Sequence, residues 1–123
     1  MFREVLLAGA GGFAGSALRF ALSCALVPVA VRWGFPVGTL LVNAAGSFAI
    51  GLLWSALPAG SWQVLAVAGF CGGFTTFSTF SLESLRMLRD GDTALALAYM
   101  AGSAVVCVLL AWAGMAVAAR WIR

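Results

Sequence analysis

Of 123 residues, 63% are apolar and 9% charged, so seven Arg and four Asp or Glu must serve the whole surface; soluble domains carry about a quarter of their residues as charge, and a mean hydropathy of +1.07 points to the bilayer as solvent. The net charge of +3 comes from Arg residues scattered singly, which excludes disorder and a phosphate-tracking stripe, and with it nucleic-acid binding. With no His, three widely separated Cys in apolar runs (Cys24, Cys71, Cys107) and Glu83 the one acid inside an apolar stretch, no metal-ligand set, disulfide framework, nucleophile–base pair or carboxylate pair can be assembled, so the chain is not an enzyme.

The first apolar segment spans about 4–31 and leaves through Pro28, Arg32 and Pro36. Arg3 ahead of an apolar run imitates a signal peptide, but Glu4 and the mid-segment Arg19 fit that template poorly, so a retained span is expected. Its Gly9-Ala10-Gly11-Gly12-Phe13-Ala14 imitates a dinucleotide-binding fingerprint, yet no acid follows before Glu83 to hold a ribose. Gly11 and Gly15, at i and i+4, read instead as a face on which another helix backbone can approach.

Residues 33–82, fifty in all, carry no charge; as one helix they would run about 75 Å, more than twice a hydrocarbon core. Pro58-Ala59-Gly60-Ser61 is the breaker at mid-length, giving a second span near 36–57 and a third near 62–88. After the polar turn Arg89-Asp90-Gly91-Asp92 a fourth charge-free run covers 93–119. The chain is therefore expected to be a single all-α membrane domain, 1–123, with four transmembrane helices.

Thr39, Asn43 and Ser47 line one face of the second span at i, i+4, i+8, and Tyr99, Ser103 and Cys107 repeat the device on the fourth. Polar stripes facing lipid are costly, so both are expected to face protein or water, either as interhelical hydrogen-bonding glue or as the wall of a path. The third span puts Gly69, Gly72 and Gly73 ahead of Thr75, Thr76, Ser78, Thr79 and Ser81 in mid-membrane, a composition that lets a helix break and free carbonyls for protein, water or a hard cation. Hydroxyl and amide protons suit an anion, as does the positive edge of a phenyl ring. Phe77 and Phe80, at i, i+3, share a face, either as packing or as part of a lined path.

Arg19 lies roughly 21 Å along its span, where it either concentrates anions in an aqueous vestibule or satisfies helix-end carbonyls. Glu83 reads first as the helix-surface partner of Arg86, and alternatively as a pore mouth. Four spans place both termini on one side with Arg3, Arg120 and Arg123, against Arg32, Arg86 and Arg89 on the other. Three against three gives no preferred orientation, so the chain is expected to insert both ways and to pair as an antiparallel homodimer.

Gly12-Phe13-Ala14-Gly15-Ser16-Ala17-Leu18-Arg19-Phe20, Gly38-Thr39-Leu40-Leu41-Val42-Asn43 and Gly72-Gly73-Phe74-Thr75-Thr76-Phe77-Ser78-Thr79-Phe80 together resemble the CrcB/Fluc family of fluoride channels, over essentially the whole chain. The resemblance implies an antiparallel, dual-topology homodimer of four-helix subunits in the cell membrane, with two fluoride pores and a broken third helix. It implies that Asn43 donates to fluoride and that the edges of Phe77 and Phe80 face the ion. Thr39, Ser78, Thr79, Tyr99 and Ser103 would contribute to the polar lining, with Arg19 as the basic residue of the first helix. A structural Na⁺ on the dimer axis would be held by backbone carbonyls, by position those of Gly72 and Thr75. One turn beyond Ser103, where another hydroxyl is expected, this chain has Cys107, a weaker donor.

The function implied is passive, fluoride-selective flow that relieves cytoplasmic fluoride toxicity: a narrow dry slot replaces the ion's water by fixed donors. The alternative is a proton-coupled cation exporter like the small multidrug resistance transporters. These need a carboxylate in the first helix, where this chain has Arg19.

Overall fold

The computed structural model describes residues 1–122. Four stretches are long and apolar enough to cross a membrane: α1 (Phe2–Trp33), α2 (Val37–Ala56), the segment Ser61–Arg89, and α5 (Thr93–Trp121). The segment Ser61–Arg89 is two helices, α3 (residues 61–74) and α4 (Phe77–Arg89), separated by extended backbone at Thr75 and Thr76. No strand occurs among the described residues, so the glycine-rich opening has no nucleotide-binding unit to serve. Four spans and the expected break in the third are present; the first, third and fourth extend one or two residues beyond their expected bounds, while α2 is one residue shorter at each end. Arg123, one of the six Arg residues used to judge orientation, lies outside the described residues.

Turn chemistry sets the connections. Gly34 ends α1 at φ 62° and returns its N–H to Ala30 O, a left-handed cap that a side chain would strain. Gly91 plays the same part between α4 and α5 at φ 85°, where Asp92 N–H donates to Met87 O.

Packing is governed by small residues. A Cβ on Gly15 would run into Phe70 O and Phe74 N, and one on Gly11 into Leu65 O and Phe70 N; from the other side, Gly69 and Gly73 lie against Ala8 O and Gly12 O. α1 and α3 therefore touch backbone to backbone, with glycine on both surfaces, the arrangement expected of the Gly11–Gly15 pair. Across this contact Val64–Cys71 winds as π-helix, the looser winding that inserts an extra residue per turn. α2 and α5 are joined likewise, Gly51 against the Ala111 backbone and Gly114 against Phe48 O. Gly46 leaves room for the Thr75 methyl and the Phe74 ring, so the break in the third span is seated on α2.

A small core of Met87, Ala96 and Tyr99, with Phe35, Leu40, Phe80, Leu95 and Met100 packed on it, closes the end of the bundle that carries the α4–α5 turn. Most large apolar side chains point outward: Phe13, Phe20, Val108 and Trp112 are all exposed on the single chain. In water that surface would be untenable; against lipid or a second chain it is the low-energy arrangement.

Candidate functional site: a polar cleft at the helix break

The site begins with two backbone groups. At the break, Thr76 N–H has left the helix ladder and donates to Asn43 Oδ1 at 2.8 Å, while Asn43 Nδ2 donates to Thr76 O at 3.0 Å. One amide side chain on α2 thus satisfies both peptide groups of the residue at the break, where an unmet pair in a dry interior would cost several kilocalories per mole. Asn43 keeps its second Nδ2 proton to donate elsewhere.

Thr76 also caps α4: its Oγ1 accepts from Thr79 N at 3.2 Å and donates to Thr79 Oγ1 at 3.1 Å, with Ser78 Oγ 3.4 Å away. The expected hydroxyls Ser78 and Thr79 are therefore placed at this cap. Thr76 was not singled out by sequence reasoning. Its signal was present as a Thr three residues before Thr79 at a helix start, and the surrounding run of hydroxyl residues hid it.

These side-chain bonds strip two carbonyls of their helical partners. Thr76 N–H would have closed on Gly72 O, and Thr79 N–H on Thr75 O; both are diverted, to Asn43 Oδ1 and Thr76 Oγ1. A third carbonyl before the break, Gly73 O, accepts from Arg19 Nε at 3.1 Å. Arg19 thus satisfies a carbonyl at the break and ties α1 to it.

Toward the loop end, Glu83 gathers the two stripes. Thr39 Oγ1 donates to Glu83 Oε1 at 2.6 Å, and Tyr99 Oη donates to Oε2 at 3.1 Å. This corrects the local reading of Glu83 as the partner of Arg86: among the described residues the one ion pair is between the N-terminal amine and Glu4. The long-range acceptors win because two hydroxyl protons inside the bundle stabilise a carboxylate better than an exposed Arg competing with water. Tyr99 is held by rings as well, Phe35 edge-on at 5.4 Å and Phe80 tilted at 5.1 Å between centroids.

Deeper in, a cleft of about 310 Å³ opens between α2, α5 and the break. Asn43, Ser47, Thr75, Thr76, Phe77, Phe80, Ser103 and Cys107 supply most of its wall, completed by Gly46, Ile50 and Ala104. Phe77 and Phe80 are neighbours, centroids 5.6 Å apart, and share the face expected from their spacing. Ser103 Oγ is buried with no hydrogen-bond partner among the described residues, an orphan hydroxyl that needs a ligand or water to be tolerable. Ser78 and Thr79 border the cleft through Thr76 and Tyr99 borders it through Phe80, while Thr39 is joined to Glu83 outside it; none of the four lines it.

The register makes these groups a track. α2 and α5 run in the same direction, so each step of four residues descends about 6 Å. Thr39 and Tyr99 meet at Glu83; Asn43 and Ser103 lie one turn deeper; Ser47 and Cys107 lie one turn deeper again. α4 runs the opposite way, so Glu83, Phe80 and Phe77 follow the same descent. Both polar stripes thus face the break and each other, as the cost of exposing them to lipid requires.

The chain matches the family model described as CrcB-like protein, Camphor Resistance (CrcB), over residues 6–115. A protein named fluoride-specific ion channel FluC from Prosthecochloris aestuarii is 42% identical over 125 residues, covering 98% of this chain and 96% of its own length. One named fluoride-specific ion channel FluC 2 from Moorella thermoacetica is 48% identical over 113 residues, 89% of this chain and 91% of its own. A FluC from the archaeon Methanococcus maripaludis is 49% identical over 91 residues, 71% and 72% of the two chains. With four membrane-crossing segments and a match across nearly its whole length, this chain belongs to the CrcB family.

Proposed function

We propose that this protein is a fluoride-selective channel that lets fluoride leave the cytoplasm down its electrochemical gradient. The observation that carries the reading is the cleft in which an amide with a spare proton (Asn43), an orphan hydroxyl (Ser103) and two phenyl rings (Phe77, Phe80) converge. Fluoride enters a dry slot only where donors replace its water. Amide, hydroxyl and ring-edge hydrogens provide them without a fixed positive charge that would trap the ion. Arg19, engaged with Gly73 O, braces the break. The one carboxylate of α1, Glu4, lies in its first turn paired with the N-terminal amine, not at mid-span where proton-coupled cation export would need it.

Two further features belong to the same proposal. The balanced Arg distribution and the apolar outer faces support pairing of two chains in opposite orientations. The carbonyls of Gly72 and Thr75, both deprived of helical amides by side-chain bonds, are oxygen ligands of the kind a hard cation such as Na⁺ takes, and they would hold it there. Exchange of Na⁺ for a bulky organic cation throughout purification is expected to lower the melting temperature; an identical melt in both salts would remove the cation.

Electrodiffusion is tested in proteoliposomes loaded with potassium fluoride. Fluoride should leave only when a potassium ionophore relieves the charge, and an imposed proton gradient should not be needed. Efflux that requires the proton gradient instead would point to coupled transport.

A further inference from the structure

The three thiols differ in kind. Cys24 faces outward from α1, Cys71 is buried beside the break, and Cys107 is half-buried on the cleft wall. Cys107 is the third member of the α5 stripe, one turn beyond Ser103, roughly 21 Å from the start of α5 and so near mid-membrane. A second observation marks this stretch of wall as ligand-facing: Ser103 Oγ, in a residue only 7% exposed, lines the same cleft and has no partner among the described residues. A hydroxyl with unused hydrogen-bonding capacity and a thiol one turn away, sharing the cleft with Asn43 and Ser47, form one continuous wall.

Resting on the channel reading, we propose that Cys107 is a covalent control point of the fluoride path, a thiol whose conversion to a mixed disulfide closes the channel and whose reduction reopens it. The S–H is the one polar hydrogen the residue offers a passing anion. A disulfide removes that donor and projects an apolar group into a slot where each missing donor leaves fluoride partly bare.

With methyl methanethiosulfonate the Cys107 thiolate attacks the sulfenyl sulfur. The new S–S bond forms as the S–SO₂ bond breaks, methanesulfinate leaves with the electron pair, and the thiol proton passes to solvent. The cysteine sulfur is oxidised and the reagent supplies the oxidising equivalent. Dithiothreitol reverses the step by thiol–disulfide exchange.

Fluoride efflux from proteoliposomes is measured before the reagent, after it, and after dithiothreitol. The expected result is loss of efflux on modification and recovery on reduction. A Cys24→Ser, Cys71→Ala double variant should keep this sensitivity, and whatever efflux Cys107→Ser sustains should be unchanged by the reagent. Should Cys107→Ser not assemble or not conduct, peptide mass mapping of the inhibited wild type reads the site directly, and the methylthio group must lie on Cys107. Full efflux after treatment, inhibition that persists in Cys107→Ser, or label confined to the other two cysteines overturns the proposal. Absence of fluoride efflux before any reagent is a different failure, that of the channel reading itself.

Discussion

An amide that accepts from Thr76 N–H and donates to Thr76 O cannot be exchanged for a carboxylate without placing two oxygens face to face. Asn43→Asp keeps the shape and loses the donor, so it should suppress fluoride flux and cost about 1–3 kcal/mol of stability, read as efflux and as a lowered melting temperature in detergent. Tyr99→Phe removes one of the two protons on the Glu83 carboxylate and should cost a similar amount, about 1–3 kcal/mol, by leaving a charged acceptor short of a partner. A thermal melt checks it. Phe80→Ile keeps bulk against the Met87–Tyr99 core and removes the ring edge, so it should abolish flux while the protein stays assembled. Unchanged flux would remove the ring from the path. At this scale the sequence was legible where one helix suffices: the i, i+4, i+8 stripes and the Phe77–Phe80 pair follow from periodicity. The Glu83 network was not, because its partners are 44 and 16 residues away and the i, i+3 neighbour Arg86 offered a local answer.

Helices here associate where glycine lets backbones meet. Gly15→Ala puts a methyl into Phe70 O and Phe74 N and should cost about 1–3 kcal/mol by overpacking, with loss of a monodisperse peak on size exclusion. Gly9→Ala, with open space around the new methyl, is the matched control and should change stability by less than about 0.5 kcal/mol. The glycine spacing disclosed a contact face on α1, but not that α3 would meet it with glycines of its own. Likewise, the Gly and Thr cluster foretold a break, whereas the π winding of Val64–Cys71 depends on two backbones in contact, which no single-helix pattern encodes. The break is therefore an interlocked joint: Arg19 from α1, Asn43 from α2 and the Thr76 cap of α4 each satisfy a group that the missing helical turn sets free.

Four spans, an apolar exterior and an even distribution of Arg support the proposal that the chain inserts in both orientations. Span number and class were legible because hydropathy over whole helices outweighs local detail. The order of groups along the track emerges only once α2, α4 and α5 are brought side by side. Adding two Arg residues to the turn at 58–60, on the side of the termini, should fix one orientation, seen as a C-terminal reporter confined to one face of the membrane in place of both. What ties these scales together is the claim that fixed amide, hydroxyl and ring-edge hydrogens in a lipid-embedded slot replace the hydration of the smallest halide and of no larger one. The direct measurement is simultaneous fluoride and chloride efflux from vesicles containing only the purified chain. The account predicts rapid fluoride release with chloride retained; fluoride release no faster than from protein-free vesicles, or equal release of both ions, would contradict it.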